Sequence, residues 1–278
     1  MLLRLLAVIM FSLNVLASDV LIHGHRGARA VRPENTIPAF EYAISAGVDV
    51  LELDLAVTSD NVLVVSHDPH VNPVLCKDAP PKLAIRELTL EELRRFDCGA
   101  LANPAFPKQE PVPGTTIPTL GEVFALSNRG DFEFNIETKI FAKEPQLAPS
   151  PEDFARLVFE MVTRHRLEDR VILQSFDFRT LHAMKKLSSK IRLSALYEGP
   201  AKSFVSIARE AGAQIISPQY KLVTKPQVDA AHKAGLQVVP WTANTPEAWQ
   251  RLLDCGVDAI ITDDPAELIA FREKLRDR

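Results

Sequence analysis

Residues 214–262 read QIISPQYKLVTKPQVDAAHKAGLQVVPWTANTPEAWQRLLDCGVDAIIT, and their rhythm decides the fold. Three short apolar runs, Gln214–Ser217, Gln237–Trp241 and Ala259–Thr262, have the length of strands and are too short for helices. Between them lie Lys225–Ala234 and Pro246–Asp254, where apolar residues recur at helical spacing. Proline sits in the first turn of each (Thr224-Lys225-Pro226, Thr245-Pro246), and glycine follows each stop (Ala234-Gly235, Cys255-Gly256). Buried strands alternating with helices of about three turns predict βα units and a parallel sheet.

The same alternation runs back to the start of the chain. Strands are predicted at Val20–His23, Val48–Leu55, Phe132–Glu137, Val171–Gln174 and Ile191–Leu196, each followed by a helical segment. Those segments are Thr36–Ala46, Leu120–Ser127, Phe154–His165, Arg179–Leu187 and Ala201–Ala211, and a last helix covers Pro265–Leu275. Eight βα units fit a TIM (β/α)8 barrel. The competing doubly wound sheet announces itself by a Gly-rich turn after its first strand, which this chain lacks. Pro69–Pro118 breaks the pattern: it is Pro-rich and far longer than an ordinary βα loop. It reads as an insertion after the second strand, a small cap beside the barrel mouth. Thr89 three residues before Glu92 marks a capped helix at Thr89–Phe96 inside it.

Composition agrees with a folded enzyme-sized domain. The 278 residues are 46% hydrophobic and 24% charged with a net charge of −4, which excludes disorder, collagen-like repeats and a coiled coil. A mean hydropathy of +0.00 excludes a polytopic membrane protein. With no basic cluster, nucleic acid is not an expected partner.

The first residues, Met-Leu-Leu-Arg and an apolar run from Leu5 to Leu16, read as a signal peptide spanning residues 1–17, cleaved before Ser18. Val15 and Ala17 then stand at the small-residue positions of the cut. Residues 18–278 form the barrel domain, exported to the periplasm or secreted, with no stable membrane anchor. Export permits disulfides. Cys76 and Cys98 share the loop-rich insertion and either pair or stay reduced, while Cys255, at a helix end, reads as a buried small hydrophobe.

Chemistry gathers where a barrel places it, at the C-terminal ends of strands. Glu52 and Asp54 are two apart on one strand and so share a face. Two carboxylates facing one mouth repel unless a cation or proton lies between them. Glu137 from the next barrel strand closes the third side of a site for a hard, oxygen-preferring ion, Mg2+ or Ca2+. His25 ends the first strand and His67 the short extended run Val62–Ser66, so the two imidazoles can serve as one acid and one base. Arg26 and Lys139 bring positive charge to the same mouth, which suits an anionic phosphate ester. Trp241 is either barrel filling or an apolar wall against the rest of a substrate.

These residues carry a resemblance. His25-Arg26-Gly27, Pro33-Glu34-Asn35-Thr36, Glu52-Leu53-Asp54 and His67-Asp68 are similar to the opening of the glycerophosphodiester phosphodiesterase family. The likeness continues through Leu88–Leu93, Ile117–Leu120, Phe134–Lys139, Gln174–Asp177, Val239–Asn244 and Gly256–Asp263. It implies a TIM barrel and hydrolysis of a small-molecule glycerophosphodiester, such as glycerophosphocholine, to glycerol 3-phosphate and an alcohol. It implies acid–base roles for His25 and His67, and one divalent cation, Ca2+ or Mg2+, on Glu52, Asp54 and Glu137. Arg26 and Lys139 match phosphate-contacting positions, and Glu34 a supporting carboxylate near the first histidine. Thr138 and Asp264 stand where relatives commonly have larger or aromatic residues, and Cys76 and Cys98 are not family signatures.

Overall fold

The computed structural model describes residues 20–276; the predicted leader and its cleavage point lie outside the described residues. In chain order the elements are β1 (Leu21–Gly24), α1 (Ile37–Ala46), β2 (Val50–Val57), β3 (Leu63–Val65), α2 (Leu90–Leu93) and α3 (Leu120–Phe124). Then come β4 (Glu133–Thr138), α4 (Pro151–His165), β5 (Val171–Ser175), α5 (Phe178–Leu187), β6 (Arg192–Tyr197) and α6 (Phe204–Ala211). The chain ends with β7 (Ile215–Pro218), α7 (Lys225–Lys233), β8 (Gln237–Val238), α8 (Pro246–Cys255), β9 (Ala259–Thr262) and α9 (Pro265–Arg276).

Parallel pairing runs β8-β7-β6-β5-β4-β2-β1-β9, with β3 antiparallel on β2. The seam between β8 and β9 is bridged by backbone bonds from Asp258 N–H to Val238 O and from Ile261 N–H to Pro240 O, both 3.0 Å. The eight parallel strands thus form a nearly closed barrel ringed by helices, the predicted (β/α)8 architecture.

Strands buried on both faces need an apolar layer outside as well as within. Phe40, Phe124, Phe134, Phe154, Phe204 and Trp249 supply the outer layer between sheet and helices, all fully buried. Ile172, Ile215, Val239, Ala259 and Ile261 fill part of the barrel interior. Thr36, Ser150, Ser203 and Thr245 cap helix N-termini through their side chains, and Gly47 and Gly256 close C-termini in the left-handed conformation, Gly256 at a stop the sequence marks.

Among the boundaries that differ from the sequence pattern, two have a clear local cause. The strand predicted to reach Trp241 is regular only to Val238, because Pro240 has no N–H to give the ladder; Trp241 rejoins by an isolated bridge to Gln219. The helix predicted to reach Phe96 ends at Leu93. Its capping box between Thr89 and Glu92 is present, but Arg95 and Phe96 donate three residues back, to Glu92 O and Leu93 O, tightening the chain out of the α-helix.

The segment between β3 and α3 has a small core of its own, with Val71, Ile85, Leu93 and Ile117 buried around a disulfide joining Cys76 and Cys98. Cys255 is free and buried. The segment leans on the loop after β1: Gln109 donates to Arg29 O at 2.7 Å, Glu110 N–H to Val31 O at 3.1 Å, and Phe106 lies under the Arg29 guanidinium at 4.5 Å.

Candidate active site

Side chains two apart on a strand share a face, so one parity of each barrel strand fills the interior and its last member reaches the mouth. On β2 that parity is Glu52 and Asp54; on β4 it is Asn135 and Glu137. Asp54 pairs in register with Glu137, and Glu137 with Gln174 of β5. The register alone brings the carboxylates together.

Glu52, Asp54 and Glu137 are buried, and one oxygen from each lies within 4.8 Å of the others. Burial, then the charges of Asp54 and Glu137, push Glu52 well above the usual carboxylate range. Burial pushes Glu137 up to about 7. Burial works the same way on Asp54, but Lys139 and Arg26 outweigh it and hold that carboxyl well below its ordinary value. Such concentrated negative charge, offered entirely through carboxylate oxygens, fits a hard divalent cation.

Two cations brace this set. Lys139 Nζ lies 2.7 Å from Glu137 and 3.0 Å from Asp54. Burial disfavours its charge, yet the two carboxylates more than restore it. Arg26 holds a left-handed backbone (φ 50°) in the loop after β1, its N–H donating to Glu52 Oε2 at 2.9 Å. Its guanidinium bridges Glu34 at 2.6 Å and Asp54 at 3.1 Å. Glu34 thus secures Arg26 rather than His25, and it does not line the cleft that His25 lines.

The loop can take this path because Gly27 adopts φ 84° against α1, where an added Cβ would sit 2.7 Å from the Ala39 carbonyl carbon.

His25 Nδ1 lies 2.5 Å from Asp263 Oδ1 at the end of β9, and its Nε2 lies 3.9 Å from Glu52. Burial holds the His25 imidazole below its ordinary value, against the pull of Asp263. His67, half-buried, meets Asp68 through Nδ1 at 3.0 Å. In both rings a carboxylate at Nδ1 leaves Nε2 as the free nitrogen. His23 is different: fully buried beside Asn135, it is held neutral by burial, its pKa about 3.

A cleft of about 380 Å³ gathers His25, Arg26, Glu52, His67, Glu137 and Lys139 on one side and Phe176, Leu196, Glu198 and Trp241 on the other. Trp241 packs on the interior apolar cluster and also lines the cleft.

Several contributors were not singled out from sequence. Asp263 orients His25, Asn244 holds Asp263 (2.6 Å), Gln174 donates to Glu52 (2.7 Å), Asn35 donates to Asp54 (2.9 Å), and Arg29 lies 3.3 Å from Asp263. Asp263 and Gln174 each end a strand on the inward parity, which was the available signal. Asp264 pairs with Lys108 of the inserted segment at 3.6 Å.

Three carboxylates, two carboxylate-held imidazoles and two cations at the C-terminal mouth of a parallel barrel define an enzyme site for an anionic ester. Comparison with known proteins narrows the class. The model of the glycerophosphoryl diester phosphodiesterase family matches residues 25–267. A glycerophosphodiester phosphodiesterase of Caldanaerobacter subterraneus subsp. tengcongensis is 34% identical over 254 residues, 91% of this chain and 98% of its own. A crystal structure of a Silicibacter pomeroyi protein superposes with a TM-score of 0.86 at 31% identity, covering 92% of this chain and 94% of that one. An Oleispira antarctica phosphodiesterase, solved with its product sn-glycerol-3-phosphate, shares the fold with a TM-score of 0.78 at 21% identity, over 91% of this chain and 96% of its own. The chain belongs to the glycerophosphoryl diester phosphodiesterase family of phosphoric diester hydrolases.

Proposed function

We propose that this chain is an exported glycerophosphodiester phosphodiesterase that works with one divalent cation, Ca2+ or Mg2+, and releases glycerol 3-phosphate and an alcohol. The observation that carries this reading is the cleft itself: two imidazoles with free Nε2 atoms face the carboxylate triad and two cations.

Glu52, Asp54 and Glu137 would hold the cation, which when bound supplies charge neutralisation for the phosphate and acidifies a hydroxyl near it. Arg26 and Lys139, already at the triad, offer guanidinium and ammonium protons to phosphate oxygens. One imidazole takes a proton at Nε2 from the attacking glycerol hydroxyl, whose oxygen bonds phosphorus as the P–O bond to the alcohol breaks, while the other gives a proton to that departing alcohol. Water then opens the cyclic phosphate, the two imidazoles exchanging roles, to leave glycerol 3-phosphate. Asp263 and Asp68 each accept from Nδ1, so both rings exchange protons through Nε2. A module that only captured phosphate esters would need no such pair.

Export is supported by the leader pattern of residues 1–17 and by the Cys76–Cys98 disulfide, which suits an oxidising compartment. Among the described residues, no helix is long and apolar enough to cross a membrane.

The test is release of glycerol 3-phosphate from glycerophosphocholine, with and without EDTA, by the native enzyme, His25→Ala and Glu52→Ala. Loss in all three treatments is expected. Activity that survives both the chelator and the substitutions overturns the mechanism.

A further inference from the structure

The two imidazoles of the cleft carry the same sequence of partners, but different parts of the molecule hold them. His25 Nδ1 meets Asp263, and Asn244 Nδ2 donates to the other oxygen of that carboxylate at 2.6 Å. His67 Nδ1 meets Asp68 at 3.0 Å, and Asn72 Nδ2 donates to the other oxygen of Asp68, also at 2.6 Å. The first trio belongs to the barrel, and its histidine and aspartate side chains are 13% and 8% exposed. The second lies where the chain leaves β3 for the inserted segment, and there His67 and Asp68 are 37% and 40% exposed. The packing that fixes His25 is largely missing around His67, so the orientation of that ring falls to hydrogen bonds.

Asn72 is built to supply one. Its amide is committed at both ends: Oδ1 accepts from Val74 N–H at 2.9 Å, and Nδ2 faces a carboxylate that can only accept. Its carbonyl accepts from Leu75 N–H at 3.1 Å and from Cys76 N–H at 2.8 Å, and Cys76 is cross-linked to Cys98. Just before it, Val71 N–H donates to Leu83 O at 2.9 Å. Asn72 is thus tied into the small core of the insertion, and from there its side chain reaches back to Asp68.

We propose that Asn72 is a positioning residue for the hydrolysis: it holds Asp68 against Nδ1 of His67, so that the cross-linked insertion sets how His67 Nε2 faces the cleft. This rests on the phosphodiesterase reading of the cleft and adds a residue to it. Asp68 alone is not enough. A half-exposed carboxylate can swing to water, and once it leaves Nδ1 the ring is free to turn and to exchange tautomers. With one oxygen tied to Asn72, the other stays at the ring. The barrel therefore fixes the carboxylate triad and His25, while the insertion fixes His67.

Asn72→Asp separates this role from folding. The new carboxylate still accepts from Val74 N–H and keeps the turn, but it meets Asp68 with an acceptor of like charge. The expected result is a fall in kcat for glycerophosphocholine of about 10- to 100-fold with KM little changed. Asn72→Ala, which removes the donor without adding charge, should lower kcat in the same way but less. In an Asp68→Ala background neither substitution should lower kcat further, because the effect passes through that carboxylate. Long-range 1H–15N NMR, with the His67 signals assigned by their loss in His67→Gln, reads the ring directly. The neutral ring should carry its proton on Nδ1 in the native protein and share it between both nitrogens in Asn72→Asp. A native kcat in both Asn72 variants, further losses in the Asp68→Ala background, or an unchanged ring overturns the proposal. If the native protein does not hydrolyse glycerophosphocholine, the phosphodiesterase reading fails, and the NMR spectra still decide whether Asn72 orients His67.

Discussion

The Nδ1 atom of His25 lies 2.5 Å from the Asp263 carboxylate, a side-chain bond that continues the β1–β9 ladder into the barrel mouth. Asp263 is itself held by Asn244 and faces Arg29, which fixes the direction from which it approaches the ring. Asp263→Asn keeps the size and the Asn244 neighbour but removes the charge that holds the proton on Nδ1. The expected result is a fall in kcat of roughly 10²- to 10⁴-fold with little change in KM. Steady-state kinetics beside a thermal unfolding curve checks it; a kcat near the native value would show that the bond is structural only.

The carboxylate triad makes a prediction that needs no substrate. Three acids brought within 4.8 Å are a repulsive arrangement that a bound cation relieves. Adding Ca2+ or Mg2+ to chelator-treated protein should therefore raise Tm, by about 2.7 kcal/mol of added stability at a hundredfold excess over Kd. Glu52→Gln and Glu137→Gln should each flatten that response. A melting curve indifferent to both ions would remove the cation from the mechanism.

The inserted segment depends on its cross-link. Cys76 and Cys98 are separated by 22 positions, and closing such a loop stabilises by about 3 kcal/mol in the chain-entropy account. The double variant Cys76→Ser/Cys98→Ser should lose about that amount in denaturant unfolding. Thiol titration under denaturing conditions should find one thiol before reduction and three after it.

Sequence order and contact order explain what could be read in advance. Glu52 and Asp54 were legible because period two is a local fact and Glu137 because it ends the next predicted strand, whereas the register that sets Asp54 opposite Glu137 belongs to the fold. His25 and His67 were legible for the same reason, as strand ends. The His25–Asp263 bond spans 238 positions and exists because β9 pairs with β1, and the Gln174–Glu52 bond spans 122 and exists because β2 and β5 flank β4. Glu34 was placed near the first histidine by resemblance, and it holds the guanidinium of Arg26, the next residue along the chain. The far side of the cleft was partly visible: Trp241 was noticed and Phe176 lies in the Gln174–Asp177 motif, while Glu198 had no pattern to mark it before β5, β6 and β8 were set side by side.

Asp97 gives the insertion a pH dependence remote from the cation site. Its carboxylate accepts backbone N–H bonds from Gly114 at 2.7 Å and from Gly99 and Ala100 at 3.0 Å, and these hold it below the usual aspartate range. A carboxyl depressed on folding stabilises the native state above its unfolded pKa, and the gain is lost as pH falls through the folded value. The native protein should exceed Asp97→Asn in stability by a constant margin above about pH 5, with the margin shrinking at lower pH. Urea unfolding at a series of pH values checks the sign; a margin that grows on acidification would refute it.

Gly27 and Gly114 separate backbone strain from steric conflict. Both hold the same left-handed backbone, φ 84° and 85°, so alanine pays a similar conformational cost at either, about 1–2 kcal/mol. Nothing lies within 4 Å of the Cβ position at Gly114, whereas at Gly27 three atoms of Ala39 lie between 2.7 and 2.9 Å, two of them backbone. Gly114→Ala should therefore show the strain alone. Gly27→Ala must also push the β1–α1 loop off α1, carrying with it the Arg26 N–H that binds Glu52 and the carbonyl that accepts from Asn35. Its stability loss should exceed that of Gly114→Ala by at least about 1–3 kcal/mol, and hydrolysis should fall with it while Gly114→Ala stays active. Equal losses at the two positions would mean that the loop can move without cost, and that the placement of Arg26 against the triad is not set by Gly27.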